Sequence, residues 1–122
     1  MRIVIDMQGA QSSGSRHRGI GRYTLALAQA MVRNRGEHEV MLALSGLFPD
    51  SVEPIRAAFA DLLPQSSIHV WHAPVPVNYL EASNLGRRLD AENIYEAFLH
   101  ELSPDVIHVT SLFEGLVDDA VT

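Results

Sequence analysis

Short apolar runs of strand length alternate with segments of helical periodicity, and this alternation most constrains the fold. The runs span residues 1–6, 39–44, 68–72 and 106–111. Apolar runs of this length are typical of strands that are buried on both faces of a sheet. Strands that alternate with helices imply right-handed crossovers and a mainly parallel sheet covered on both faces. The sequence therefore predicts an α/β fold, a Rossmann-like three-layer sandwich.

Three helices are expected between these strands. The first begins near Ile20, and its apolar face is predicted to hold Ile20, Tyr23, Leu27, Ala30 and Met31. The second begins with Asp50 or Ser51 as its N-cap, and its apolar stripe is Val52, Ile55, Phe59 and Leu62. The third covers residues 85–102, and its apolar face is Ala91, Tyr95, Phe98 and Leu102. Arg87 and Arg88, near its start, are expected on a solvated face.

Length and composition limit the function classes. A chain of 122 residues fits one domain, and its formal net charge of −6 argues against a nucleic-acid partner. No Cys is present, which removes disulfides and thiolate metal sites. No apolar run approaches the roughly 20 residues of a membrane span. We expect a cytoplasmic protein, and, since doubly wound domains usually have more than four strands, residues 1–122 are expected to be a truncated domain.

A polar loop over residues 8–22, with a glycine-rich turn at its end, is predicted to connect the first strand with the first helix. Gly19 and Gly21 stand at the helix start, where free backbone N–H groups attract phosphate or another oxyanion. Arg16, Arg18 and Arg22 add positive charge to an otherwise acidic chain. The alternative is a flexible connection in which a glycine permits close helix packing.

Two familiar phosphate-binding motifs do not fit this turn. The dinucleotide fingerprint requires a third glycine where Thr24 stands, and an acid at the end of the second strand, where Leu44-Ser45-Gly46 offers none. The Walker motif requires Lys-Ser or Lys-Thr where Ile20-Gly21 stands. NAD and ATP are therefore not expected as cofactors.

The stretch Arg18-Gly19-Ile20-Gly21-Arg22-Tyr23-Thr24-Leu25, after the strand Arg2-Ile3-Val4-Ile5-Asp6, resembles the opening of family-four glycosyltransferases of the GT-B fold. Pro104-Asp105-Val106-Ile107-His108-Val109-Thr110-Ser111 is similar to a later strand of the same N-terminal domain. With Leu112-Phe113-Glu114-Gly115, the chain most resembles bacterial mannosyltransferases of O-antigen and related polysaccharide assembly. The resemblance covers essentially the whole chain and about a third of such an enzyme.

This resemblance implies an N-terminal, acceptor-side domain that lacks the C-terminal domain for the nucleotide-sugar. The implied donor is GDP-mannose, and the implied acceptor is a glycan or a lipid-linked glycan, with possible peripheral contact with the inner membrane. Transfer would retain the anomeric configuration, with no metal and no cofactor besides the donor. The phosphate-facing or substrate-facing residues would be His17, Arg18, Gly19, Gly21 and Arg22. The fragment alone is expected to be inactive, and its catalytic residues are unknown.

Further candidates follow the third and fourth strands. His72, Ser111 and Glu114 are predicted as acceptor contacts, although Glu114 is also typical of a helix start. Asp6 is expected to fix the glycine-rich connection by accepting its N–H groups, and Trp71 is expected in the core. The six histidines show no shared face with an acid, so no metal site is predicted.

Two other functions remain as alternatives. A stand-alone flavodoxin-like binding module without catalysis would fit the fold, but a response regulator needs a phospho-acceptor Asp where His72 follows the third strand. A nucleotide-dependent epimerase or dehydrogenase is disfavoured by the glycine-rich turn.

Overall fold

The computed structural model describes residues 1–12, 14, 16–75, 77 and 81–110. Its strands and helices, in order, are β1 (Arg2–Asp6), α1 (Gly19–Arg33), β2 (Glu39–Ser45), α2 (Val52–Ala58), β3 (Ile68–Trp71), α3 (Leu85–Glu101) and β4 (Val106–Val109). Short 3₁₀ turns lie at Gln8–Ala10, Pro49–Ser51, Gln65–Ser67 and Ala82–Asn84. The predicted order is confirmed, and most bounds differ by one or two residues. The exception is α2, which ends at Ala58, before the Phe59 and Leu62 of its predicted stripe.

The four strands form a parallel sheet in the order β3-β2-β1-β4. In the register, Ile5 of β1 lies opposite Leu42 of β2 on one side and His108 of β4 on the other. The chain thus builds outward from β1 to β3 and then returns to the far side of β1. This reversal places a topological switch point between β1 and β4, where open α/β sheets form their ligand crevice.

Helices cover both faces, so the predicted three-layer sandwich is confirmed. One core cluster packs α1 and α2 on the sheet through residues such as Ile5, Leu42 and Phe59. The other packs α3 on the opposite face through Val4, Trp71 and its own helix residues. Trp71 is buried, as the sequence predicted, and its ring lies 5.1 Å from that of Tyr95.

The predicted apolar face of α1 is right only in part: Ile20, Leu27 and Met31 are half-buried, and none of the five predicted residues is fully buried. The buried residues of this helix are Gly21, Thr24, Ala28 and Val32. Tyr23 is 55% exposed, and Ala30 is exposed as well. Small side chains face the sheet because they let the helix axis approach it closely, whereas hydrophobic periodicity selects the large side chains that lie on the flanks.

The start of the β1–α1 connection also differs from the predicted polar loop over residues 8–22. Gln8, Gly9, Ala10, Gln11 and Ser12 are all buried, and α1 already begins at Gly19. The first half of the connection is therefore part of the packed interior, whereas the described residues of its second half, 14 and 16–18, are exposed or half-buried.

Arg87 and Arg88 do not lie on a fully solvated face. Both are half-buried, and the Arg87 guanidinium donates to Asn84 Oδ1 at 2.6 Å. Among the described residues, Nη1 of Arg88 is buried and has no hydrogen-bond partner. Within the described residues, no helix is long and apolar enough to cross a membrane.

Candidate functional site

The carboxyl ends of β1 and β4 meet α1 in a close three-way contact. Thr24 of α1 donates its hydroxyl proton to the Ile20 carbonyl at 2.8 Å, and its oxygen lies 2.7 Å from the Thr110 hydroxyl. Because a hydroxyl has one proton, Thr110 is the donor in the second bond. A Cβ on Gly9 would stand 2.7 Å from Thr24 Oγ1 and 3.1 Å from Thr110 Oγ1, so only glycine fits there without a shift. This contact fixes the start of α1 against the switch point.

Asp6 anchors the turn that follows β1. Its carboxylate accepts the Gln8 N–H at 2.8 Å and also accepts the Tyr95 hydroxyl of α3. Burial raises the pKa of the Tyr95 phenol, and the adjacent Asp6 carboxylate raises that pKa further. The prediction that Asp6 accepts N–H groups of this connection is confirmed.

The amino end of α1 is open. Arg18 is its N-cap residue in an extended conformation, no side chain caps the helix, and no acid stands in its first turn. A Cβ on Gly19 would meet nothing within 4 Å, whereas Gly21 is buried. Among the described residues, no side chain therefore satisfies the first N–H groups or the positive end of the helix dipole, and both are left for an oxyanion.

Two adjoining cavities lie beside this helix end, and Arg16 and His17 line both of them. We call the first the turn cavity: its volume is about 330 Å³, and it lies between Gln11 and the turn 47–51. The second, the helix cavity, has a volume of about 290 Å³ and includes Gly21 and Arg22. Of the predicted loop residues, His17, Gly21 and Arg22 thus come together at one cavity.

Arg18 and Gly19 are exposed and line neither cavity. Within the described part of the chain, the structure pairs neither Arg18 nor Arg22 with an acid. Their charges therefore add to the positive potential at the start of α1.

A buried amide ties the two walls of the turn cavity together. Gln11, which is 2% exposed, donates from Nε2 to the Ser45 carbonyl and to Ser51 Oγ, both at 3.0 Å. Its Oε1 accepts the Ser45 N–H at 2.9 Å. Ser51 is the N-cap residue of α2, as predicted, but its Oγ donates to the Phe48 carbonyl at 2.7 Å and does not cap the helix.

His72 lies away from the start of α1. It follows β3, which β2 separates from β1, and it is exposed. A Cβ on Gly46 would lie 2.8 Å from His72 Cε1 and 2.7 Å from the Trp71 carbonyl, so the imidazole packs over the Gly46 backbone. His72 therefore has a packing contact in the structure, and its role as an acceptor contact stays a prediction.

The remaining predicted acceptor contacts, Ser111 and Glu114, lie outside the described residues. Among the residues that are described, no three His, Asp or Glu side chains converge as metal ligands. The expectation of no metal remains a prediction.

The sequence reasoning missed Gln11, Phe48 and the role of Thr110. Gln11 stands in a serine-rich, polar stretch, and nothing local signals that its amide is buried. The sequence predicts Asp50 only as a candidate N-cap and gives no signal for Phe48, because the turn that holds them meets Gln11 through tertiary contacts alone.

Comparison with known proteins gives one consistent relationship. The chain is 37% identical over 119 residues to a serotype-specific mannosyltransferase WbdA of Escherichia coli, a match that covers 97% of this chain and 14% of that protein. A second protein of the same description is 30% identical over 93 residues, and a third is 28% identical over 90 residues. These two matches cover 75% and 73% of this chain, and 11% of each relative.

No family model matches the chain, and no solved structure matches it. The chain spans only about a seventh of the first relative's length, so the similarity concerns one segment of a much longer protein. The resemblance to bacterial mannosyltransferases is confirmed, while membership of family four and the GT-B fold stays a prediction. Over nearly its entire length, this chain is similar to one segment of bacterial serotype-specific mannosyltransferases.

Proposed function

We propose that this chain is the acceptor-side part of a glycosyltransferase that moves mannose from GDP-mannose to a glycan or lipid-linked glycan in cell-surface polysaccharide synthesis. The observation that carries the proposal is the 37% identity over 119 residues to a mannosyltransferase. Geometry alone would fit several anion-binding functions, because an open helix end with nearby arginines accepts any phosphate.

The helix cavity supports this proposal chemically. Sugar transfer from a nucleotide diphosphate develops negative charge on the leaving diphosphate, and preorganised donors stabilise that charge. Arg16, His17 and Arg22 line the cavity beside the uncapped start of α1. The donor itself is proposed to bind mainly to a further domain, with this helix end facing its phosphates and the acceptor lying on the side of this chain.

Mannose transfer by the full-length protein tests the proposal. We expect incorporation of mannose from GDP-mannose into a glycan acceptor, and Arg22→Gln should lower kcat/KM by roughly tenfold to a hundredfold, since a charge-stabilising donor is lost. Arg33→Gln is the matched control, because Arg33 is an exposed arginine at the other end of the same helix.

The control variant should keep the wild-type rate. A full-length protein that transfers no mannose would overturn the function. Equal rates for wild type and Arg22→Gln would overturn the part assigned to the start of α1.

A further inference from the structure

The turn cavity differs in chemistry from the helix cavity that adjoins it. Three consecutive residues on its wall, Leu47, Phe48 and Pro49, are apolar, and Asp50 follows them. Arg16 closes the opposite wall, and its guanidinium reaches the Asp50 carbonyl at 3.4 Å. The wall thus combines an aromatic ring and aliphatic surface with one acidic and one basic side chain.

This combination fits a neutral sugar ring. A hexose presents an apolar face of C–H groups, which packs on an aromatic ring, and a rim of hydroxyls that both donate and accept hydrogen bonds. A carboxylate such as that of Asp50 accepts from hydroxyls, and a guanidinium such as that of Arg16 donates to them. At about 330 Å³, the cavity is at the small end of ligand sites, which begin at roughly 300 Å³.

The cavity is also held in shape before any ligand arrives. The three hydrogen bonds of the buried Gln11 amide join its two walls at 2.9–3.0 Å. The turn is closed further by the Leu47 N–H, which donates to Ser45 Oγ at 3.1 Å. A wall whose polar groups are satisfied internally keeps its geometry, which lowers the entropic cost of binding.

The helix cavity favours an anion rather than a neutral ring. It shares Arg16 and His17 with the turn cavity, but the described residues that line it include Arg22 and no acid. Arg22 and the start of α1 favour an anion there, whereas the Asp50 carboxylate opposes an anion in the turn cavity. A neutral ring and a phosphate group would therefore sit side by side, separated by Arg16 and His17.

We infer that the turn cavity binds the acceptor's terminal sugar as a neutral hexopyranose ring, with Phe48 packing on its face and Asp50 and Arg16 bonding its hydroxyls. This inference rests on the proposed glycosyltransferase function and names the acceptor subsite within it. Gln11 is a positioning residue that acts through Ser45 and Ser51 and does not touch the sugar.

Direct binding by the full-length protein tests the inference without donor. The probes are the methyl α-glycosides of mannose, glucose and galactose, each measured separately by saturation-transfer NMR. At least one should give a signal that Phe48→Leu and Asp50→Asn each reduce at least fivefold and that inorganic phosphate does not displace. Phe98→Leu and Asp61→Asn are the matched controls, since Phe98 is half-buried on α3 and Asp61 is exposed beyond α2, and neither lines the turn cavity.

Acceptor kinetics separate this inference from the proposed function. In mannose transfer, Phe48→Leu and Asp50→Asn should raise the acceptor KM about tenfold and leave the donor KM unchanged. Transfer with an unchanged acceptor KM in both variants would overturn the subsite while the transferase function stands. Absence of binding by all three glycosides, or displacement of the bound glycoside by phosphate, would also overturn the subsite. Sugar binding without any transfer would overturn the transferase function and leave the turn cavity as a sugar-binding site.

Discussion

Gly9 lies at the start of the β1–α1 connection and Gly19 at its end, as the first residue of α1, yet their surroundings are opposite. A Cβ on Gly9 would lie 2.7 Å from Thr24 Oγ1, inside a buried contact between β1, α1 and β4. A Cβ on Gly19 would meet nothing within 4 Å, and its backbone does not require the left-handed region. Both are glycines near the sheet's carboxyl edge, but only Gly9 is needed for the packing of the fold.

From the sequence, a glycine of the turn at the helix start could serve close helix packing. The structure gives that role to other residues. Close helix packing is served by Gly9, which sequence reasoning passed over, and by small residues inside α1 such as Ala28. No contact within the described structure explains why a glycine stands at position 19. A ligand that approaches the backbone there would require one, which agrees with the proposed donor-facing role.

The largest effect is expected at Gly9. Gly9→Ala should lower the free energy of unfolding by roughly 2–3 kcal/mol, because a methyl group cannot enter a close-packed contact without moving Thr24 or β1. Urea unfolding followed by circular dichroism measures this loss.

A double-mutant cycle sharpens this result. Removing the Thr24 side chain in Gly9→Ala/Thr24→Ala should restore part of the loss, so the two substitutions should couple by more than about 1 kcal/mol. Additive effects of the two substitutions would contradict the contact between Gly9 and Thr24.

A smaller loss of folding stability is expected from Tyr95→Phe, because Tyr95 of α3 bonds to Asp6, just before the packed start of the β1–α1 connection. The variant removes the hydrogen bond to the Asp6 carboxylate and should cost about 2 kcal/mol, as bonds to charged groups do. Thermal or urea unfolding at neutral pH measures it. A cost below about 0.5 kcal/mol would show that the bond does not support the turn after β1.

The same residue predicts a pH dependence. The folded state raises the pKa of Tyr95, so the stability linked to this group is complete below the unfolded value of about 10 and falls as the pH rises above it. Above pH 10, wild type should lose up to about 1.4 kcal/mol per pH unit more than Tyr95→Phe. Parallel stability curves for the two proteins in this range would contradict the assignment.

The smallest effect on stability is expected at Gly19. Gly19→Ala should change the free energy of unfolding by no more than about 1 kcal/mol, and the change should be stabilising, because alanine fits the open position and reduces the entropy of the unfolded chain. Gly86→Ala is the matched control, since Gly86 also stands in the first turn of a helix with open space around it.

The two alanine variants should differ in mannose transfer by the full-length protein. Gly19→Ala should slow it, because the methyl group occupies the approach to the helix end, and Gly86→Ala should not. A large destabilisation by Gly19→Ala, or equal transfer by both variants, would break the contrast between Gly9 and Gly19.

Much of the architecture followed from local patterns. The strands, the helices and their order were predicted, with most bounds within two residues, because strand-length apolar runs and helical periodicity reflect burial. Two predictions were less accurate: α2 ends at Ala58 rather than near Leu62, and the apolar run of β4 is largely exposed. The predicted α1 face failed at Thr24, since a polar residue with both hydroxyl bonds satisfied inside the fold carries no hydrophobic signal. The prediction of a solvated face for Arg88 was wrong as well, because its half-buried position depends on what lies beneath α3.

The candidate site was predicted only in part. His17, Gly21 and Arg22 meet at the helix cavity because one short stretch of chain carries all three. The turn cavity was not foreseen, because Gln11 and Ser51 are 40 positions apart and only the β1–β2 pairing brings them within hydrogen-bond distance.

The sequence by itself determined the α/β class, the helix start after β1 and the resemblance to mannosyltransferases, since each depends on residues that are neighbours in the chain. Only the tertiary structure decided which glycine is packed and which is open, where Gln11 joins two turns, and that His72 lies on Gly46 rather than beside α1. These features depend on the strand order β3-β2-β1-β4, because the pairing of β1 with both β2 and β4 sets which distant side chains meet at the sheet's carboxyl edge.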